Sequence, residues 1–189
     1  MKKLLLLVVL FVIAANSTHA QHMNLGIKGG LNLYSISNSN YNTKEHFNAG
    51  LLSHFHLSDR VGLQPEIMFS GQGGKLNNSS NPRLNLSYIN VPVLLQYMYN
   101  NGFRLQAGPQ IGYLVSANSK NDGVSTDVKS GFNSLDFGIS AGVSYVFVQT
   151  GIGLDARYNH GISNINENNA NRSTNRGFQL GVFYMFKHN

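Results

Sequence analysis

The chain has 189 residues, of which 12% are charged, and its 14 lysines and arginines outnumber its 8 aspartates and glutamates, giving a formal net charge of +6. The complete lack of cysteine excludes a disulfide framework and thiolate metal sites. The charged fraction is about half that of ordinary soluble domains. The basic residues are dispersed rather than gathered in a run, which excludes a nucleic-acid-binding face.

Residues 1–20 have the pattern of a cleavable export signal. Lys2 and Lys3 precede an apolar run over 4–15, and Thr18-His19-Ala20 places small residues at a cleavage site before Gln21. The apolar run is shorter than the roughly 20 residues that a spanning helix needs, although a retained membrane anchor is the alternative. We therefore expect residues 21–189 to form the mature domain.

Eight segments of the mature chain alternate apolar with polar or small residues, which is the two-residue period of β-strands. A closed bacterial outer-membrane barrel needs an even number of strands, and eight satisfies this condition. The predicted strands in chain order are 24–35, 46–57, 61–72, 84–99, 103–117, 134–147, 152–160 and 178–186.

The fourth predicted strand changes phase. Leu84, Leu86 and Tyr88 occupy even positions, whereas the apolar residues from Ile89 to Tyr99 occupy odd ones. If one apolar face continues through the strand, an extra residue must be accommodated, so we expect a β-bulge near Tyr88.

Three prolines fall inside predicted strands: Pro65, Pro92 and Pro109. Each removes a donor from the backbone ladder, and a closed barrel has no edge strand where that loss is harmless. We expect a bulge or a water-bonded carbonyl beside each proline, or else a shorter strand.

The connections alternate in length. Turns at 58–60, 100–102 and 148–151 are of hairpin size, whereas 36–45, 73–83, 118–133 and 161–176 are long and polar. Short periplasmic turns and long extracellular loops are typical of outer-membrane barrels. Aromatic residues are expected at both bilayer interfaces, and they fall near the short turns (Phe55, Tyr97, Tyr99, Phe103, Tyr145, Phe147, Tyr184, Phe186) and near the long loops (Phe69, Tyr88, Tyr113, Phe137, Tyr158, Phe178).

The alternation alone does not say which face is inside. In a soluble lipocalin-like barrel the apolar face would line a cavity, and the other face would carry the charge expected in water. The second face here is poor in charge and rich in glycine, as in Gly138-x-Ser140-x-Gly142, which suits the crowded lumen of a small barrel. We therefore predict an all-β, eight-stranded antiparallel up-and-down transmembrane β-barrel whose apolar side chains face lipid.

Four strings of residues resemble the PorT-like outer-membrane β-barrel family of the Bacteroidetes. They lie at 63–70, 88–95, 107–112 and 153–158, and contain Gln-Pro-Glu, Asn-Val-Pro, Gly-Pro-Gln and Leu-Asp-Ala-Arg-Tyr. The resemblance covers essentially the whole mature chain and implies an eight-stranded barrel in the cell outer membrane. The family's namesake is associated with protein export, but no residue here indicates that role.

Charged residues on the inward face are the candidate site. Because uncompensated charge in a confined space is costly, we expect them to pair in a structural network of salt bridges and amide hydrogen bonds. The alternative is a polar path for ions or small solutes. The predicted lumen residues are Lys28, Glu66, Arg104, Asp136, Asp155 and Arg157.

No residues are assigned to catalysis, to a cofactor or to a metal. His160 and Ser163 are close in sequence, but no nucleophile elbow supports them as a catalytic pair. His46, His54 and His56 could ligate a metal, although strand histidines at a lumen rim are more often hydrogen-bonded fillers. We expect no enzyme and no cofactor.

The remaining functions are a structural or interaction role and a narrow pore. In the first, loops or the periplasmic rim dock a protein partner; the second conducts ions or small solutes, and an accessory part in protein export is a further alternative. Outer-membrane lipid is a partner in every case.

Overall fold

The computed structural model describes residues 23–37, 41–76, 82–121, 123–168 and 172–186. The predicted signal peptide, 1–20, lies outside these residues, as do parts of all four long loops. Within the described residues no helix is long and apolar enough to cross a membrane. The single helical turn among them is 3-10 helix Lys129–Gly131.

The described chain is built of eight long strands and two short ones. The short strands, β2 and β7, lie in two of the predicted loops and extend the sheet beyond the outer rim. The ten strands are β1 (Met23–Ile36), β2 (Tyr41–Asn42), β3 (Lys44–His56), β4 (Val61–Leu76), β5 (Arg83–Met98), β6 (Phe103–Asn121), β7 (Val124–Asp127), β8 (Leu135–Phe147), β9 (Ile152–Gly161) and β10 (Asn175–Met185).

The eight long strands form one closed antiparallel ring. Their order around the ring is β1-β3-β4-β5-β6-β8-β9-β10, and β1 pairs with β10 to complete it. Each strand is thus hydrogen-bonded on both sides, which leaves no open edge among the long strands. The predicted up-and-down barrel of eight strands is confirmed.

The two faces of the ring have opposite chemistry. Ile139, Val143 and Leu154 are 50%, 38% and 49% exposed on the outer face, whereas the alternate positions are buried. The short turns are sharpened by Gly102 and Gly151, which have φ of 89° and 75°, a region open to glycine at little cost. The outer face is therefore the apolar one, and the soluble lipocalin-like alternative is wrong.

The phase change in β5 has a different cause from the one predicted. The pairing of β5 with β6 does shift between Ser87 and Tyr88, but the next partners along β6 are Ser116 and Leu114, so the extra residue is Val115 on β6. β5 itself alternates without interruption. Leu84, Leu86 and Tyr88 point into the barrel and are 4%, 1% and 0% exposed, so the prediction of Tyr88 in the outer aromatic girdle is wrong.

The three prolines neither create bulges nor shorten the strands. Next to Pro65, Pro92 and Pro109 the ladder to β3, β4 and β5 respectively loses two residue pairs, and it then resumes in the same register. Because proline has no N–H, one strand contact opens locally while the neighbouring strand stays paired. The predicted bulge and the predicted shorter strand are both wrong at these positions.

Candidate functional site

All six predicted lumen residues are buried inside the barrel. Each of them is less than 10% exposed: Lys28 4%, Glu66 1%, Arg104 8%, Asp136 9%, Asp155 4% and Arg157 3%. They come from β1, β4, β6, β8 and β9, so the cluster exists only once the ring is closed.

Four of the six form one neutral cluster of charges. Arg157 donates to both oxygens of Glu66 at 2.9 and 2.8 Å and to both oxygens of Asp155 at 3.1 and 3.0 Å. Lys28 Nζ donates to Asp155 Oδ1 at 2.5 Å and lies 3.7 Å from Glu66 Oε1. Two cations and two carboxylates thus neutralise one another, with the bidentate geometry that makes arginine pairs strong.

Space for Arg157 is left by a glycine on the neighbouring strand. A Cβ added to Gly142 would lie 2.6 Å from the Cβ of Arg157. The two residues are direct partners across β8 and β9. A small residue on one strand therefore accommodates a large charged residue on the next.

A chain of amides continues the cluster toward the periplasmic end. Gln64 donates to Glu66 at 2.8 Å, and Gln96 donates to both Gln64 and Gln106 at 3.0 and 2.9 Å. Gln106 in turn donates to Asp155 at 2.5 Å. Arg104 joins only through Gln96, at 3.2 Å, so among the described residues it makes no ion pair.

Asp136 stands apart near the extracellular end. Its carboxylate accepts hydrogen bonds from Ser163 Oγ at 2.7 Å and Asn175 Nδ2 at 2.9 Å. No described cation lies within 4 Å of it. The structure thus brings together four of the six predicted residues and leaves Arg104 and Asp136 with neutral partners.

A second belt of amides lies between the charged cluster and the outer mouth. Asn48 donates to Asn32 at 2.8 Å, and Asn32 donates to Ser70 at 2.9 Å. Asn159 donates to the Tyr34 hydroxyl at 2.8 Å and to Gln179 at 3.3 Å. These residues were not predicted as part of a site, although their inward parity on β1, β3, β4, β9 and β10 was a usable signal in the sequence.

Both ends of the lumen are filled with apolar side chains. The outer cap is a buried cluster from three strands and one loop, against which two further loop residues pack. The periplasmic plug is a smaller cluster from β3, β8 and β10. The outer cap comprises Ile36, Leu84, Leu86, Tyr88, Leu114, Ala117 and Ile165 with Val128 and Phe132 against it, and the periplasmic plug comprises Leu52, Val146, Phe183 and Met185.

The structure does not bring His46 next to His54 and His56, and it joins Ser163 to Asp136. The rings of His54 and His56 are 4.6 Å apart, but His46 is eight residues away from His54 along the same strand, about 26 Å. Ser163 Oγ donates to Asp136, and it accepts the Phe137 N–H at 2.8 Å. Among the described residues no group of three His, Cys, Asp or Glu is placed to hold a metal.

The closed ring, the lipid-facing apolar surface and the neutralised polar interior define a small transmembrane β-barrel of the bacterial outer membrane. The chain belongs to the family described as outer membrane protein beta-barrel domain, whose profile matches residues 15–167. The protein is therefore located in the outer membrane. No curated protein sequence matches it.

The fold is shared with solved structures, of which two are given as examples. The Neisserial surface protein A, NspA, is 15% identical with a TM-score of 0.59, over 86% of this chain and 97% of the other. Ail, the attachment invasion locus protein of Yersinia pestis, is 17% identical with a TM-score of 0.54, over 86% and 98%. At such identities the likeness concerns the fold.

Proposed function

We propose that this barrel is a structural or interaction protein that holds its extracellular loops as a rigid surface for a partner. The observation that carries the proposal is the outer cap. Ile165, Val128 and Phe132 come from two extracellular loops and pack into or against the apolar residues at the mouth. These two loops are thereby packed onto the barrel at its mouth.

Hydrogen bonds between the two loops support this proposal. Asn133 Nδ2 donates to the carbonyl oxygens of Asn164 and Asn166, both at 2.9 Å. Phe132 and Asn166 pair as an isolated β-bridge. Ordering a loop before binding lowers the entropy that a partner must offset, so a fixed surface is suited to recognition.

Photo-crosslinking in the native outer membrane tests where a partner docks. Val124 on β7 and Val148 in the β8–β9 turn are 67% and 72% exposed at opposite ends of the barrel, so they form a matched pair of probe positions. We expect a specific adduct from position 124 and none from position 148. Adducts from 148 alone would instead support periplasmic docking, the geometry that an accessory part in export requires.

A conducting pore is the weaker alternative. An ion would have to pass the outer cap, the closed ring of charges and the periplasmic plug, and an eight-stranded lumen is about filled by its own side chains. We expect folded protein to be silent in planar bilayers. Steady single-channel openings would overturn the structural role that we propose for Lys28, Glu66, Arg104, Asp136, Asp155 and Arg157.

The proposal also covers the family subgroup, the export signal and the lack of enzymatic activity. Membership of the PorT-like group of the Bacteroidetes rests on the strings around Pro65, Pro92 and Pro109, and export through a signal peptide rests on residues 1–20. Amino-terminal sequencing of protein from the outer membrane should begin at Gln21. We also propose that the barrel is not an enzyme, because Ser163 hydrogen-bonds to Asp136 while the His160 ring lies beside the Tyr158 ring, with 6.2 Å between the ring centroids.

A further inference from the structure

Three cations stand side by side on neighbouring strands beyond the outer rim. Lys75 on β4 is the direct partner of Arg83 on β5, and Arg83 is the direct partner of Lys120 on β6. Direct partners in antiparallel strands have Cβ atoms about 5 Å apart. We call these three residues the basic row. The sequence alone does not reveal the basic row, because Lys75 and Lys120 are 45 positions apart and the three residues meet only when the strands pair.

The basic row faces sideways, on the same side of the sheet as the lipid-facing residues. Arg83 follows the parity of Ile89 and Val91 on β5, and both Arg83 and Lys120 are exposed. Phe69 on β4 is one of the aromatic residues expected at the outer bilayer interface. From Phe69 to Lys75 the strand rises about 20 Å, which is roughly 15 Å along the membrane normal at the usual strand tilt. The row therefore lies above the acyl layer, at the height of saccharides carried by outer-leaflet glycolipids.

No described carboxylate lies within 4 Å of these three cations. Every ion pair within 4 Å among the described residues lies in the lumen. Lys44 adds a fourth cation, since its Nζ donates to Asn85, two residues from Arg83 on the same strand. Like charges directly opposite one another destabilise a sheet, so an arrangement of this kind gains stability from a bound anion.

We infer that the basic row binds the phosphate groups of an outer-leaflet glycolipid standing beside the barrel. The chemistry is charge complementarity between lysine and arginine side chains and phosphate oxygens. The lateral direction of the row selects the lipid, because a molecule arriving from solution would be met first by the loops at the top. This anchoring role is separate from the proposed loop display and does not depend on it.

Binding of purified lipopolysaccharide to the detergent-solubilised barrel, followed by the rise in melting temperature, tests the inference. We expect Arg83→Gln to weaken binding about fivefold, and Lys75→Gln, Arg83→Gln and Lys120→Gln together to weaken it on the order of a hundredfold. Arg176→Gln is the matched control, since Arg176 is also an exposed arginine at the outer end of a strand but lies on the far side of the ring. It should bind like the parent.

Further measurements test whether the rise in melting temperature comes from phosphate carried by a lipid. Without lipopolysaccharide, the triple variant should melt at or above the parent temperature, because like-charge repulsion is removed, and this result also shows that it folds. Dephosphorylated lipopolysaccharide should give no shift, and about 1 M salt, where the screening length is roughly 3 Å, should abolish the shift. Equal binding by parent and triple variant would overturn the inference. Inositol hexaphosphate bound at the row as tightly as lipopolysaccharide would overturn the assignment to a lipid.

Discussion

Arg157 is the side chain on which the lumen cluster is centred. Among the described residues it alone hydrogen-bonds to both carboxylates, with two hydrogen bonds to Glu66 and two to Asp155. Breaking a buried ion pair by removing one partner is costly because the other charge is left buried and uncompensated. Arg104, by contrast, makes one hydrogen bond to a neutral amide. Two buried arginines in one lumen thus have different energetic roles.

This difference gives a matched pair of variants. Arg157→Gln should lower the free energy of unfolding by about 3–5 kcal/mol, because two carboxylates would then share Lys28. Arg104→Gln should cost about 1 kcal/mol or less, the net worth of one ordinary hydrogen bond. Urea unfolding in lipid vesicles measures both. Equal losses would show that burial alone, rather than pairing, decides the effect.

Removing a carboxylate tests the same cluster from the acidic side. Glu66→Ala leaves Arg157 with Asp155 only, and it also removes the acceptor of Gln64. We expect a lower melting temperature in detergent. Arg157→Leu added to Glu66→Ala should recover part of the loss, because Glu66→Ala alone leaves two cations against one carboxylate and the second change removes the excess cation. An unchanged melting temperature for Glu66→Ala would contradict a stabilising role for the charges.

At the scale of the strand, the two-residue alternation of the sequence predicted which side chains point into the barrel. Two-residue alternation placed Lys28, Glu66 and Asp155 in the lumen without any coordinates. It did not say which of them would meet, because Lys28 and Asp155 are 127 residues apart and are joined only by ring closure. Their pairing depends on strand order and register, which are tertiary properties.

The misassigned end of β5 shows where parity fails. Leu84, Leu86 and Tyr88 look lipid-facing because they are apolar, yet they point inward. Apolar side chains are stable inside the barrel there because loop residues such as Ile165 cover them. An apolar residue near the outer rim is therefore consistent with either face. The face depends on which strand carries the bulge: because the extra residue is Val115 on β6, β5 keeps its alternation and these three side chains point inward.

Packing between β9 and β10 gives a prediction at this scale. Gly153 and Phe183 are direct partners, and a Cβ on Gly153 would lie 2.2 Å from the phenyl Cζ. Gly153→Ala should therefore cost about 1–3 kcal/mol by overpacking, and Phe183→Leu in the same chain should restore part of it. Gly131→Ala is the control, since nothing lies within 4 Å of its added Cβ. Urea unfolding compares the variants, and an equal loss for Gly131→Ala would refute the steric explanation.

For the whole molecule, the layers inside the barrel follow one order: apolar cap, amide belt, charged cluster, amides again and apolar plug. Polar side chains in the middle hydrogen-bond to one another, although Gln72 Oε1 and Ser144 Oγ are buried without a partner among the described residues, and apolar clusters lie at both ends. Because the interior is self-contained, the surfaces left for recognition are the extracellular loops, the outer wall above the bilayer and the periplasmic turns.

The lack of cysteine makes the orientation of the whole barrel measurable. Single cysteines at Val124, Val148 and Ile139 report the outer loops, the periplasmic turns and the lipid-facing wall. A membrane-impermeant maleimide should label Val124→Cys on intact cells, and Val148→Cys only after the outer membrane is permeabilised. Ile139→Cys should resist labelling until the barrel unfolds, although it is 50% exposed, because hydrocarbon rather than water covers it. Labelling of Ile139→Cys as fast as Val124→Cys would mean that this apolar wall meets water, which is incompatible with a transmembrane barrel.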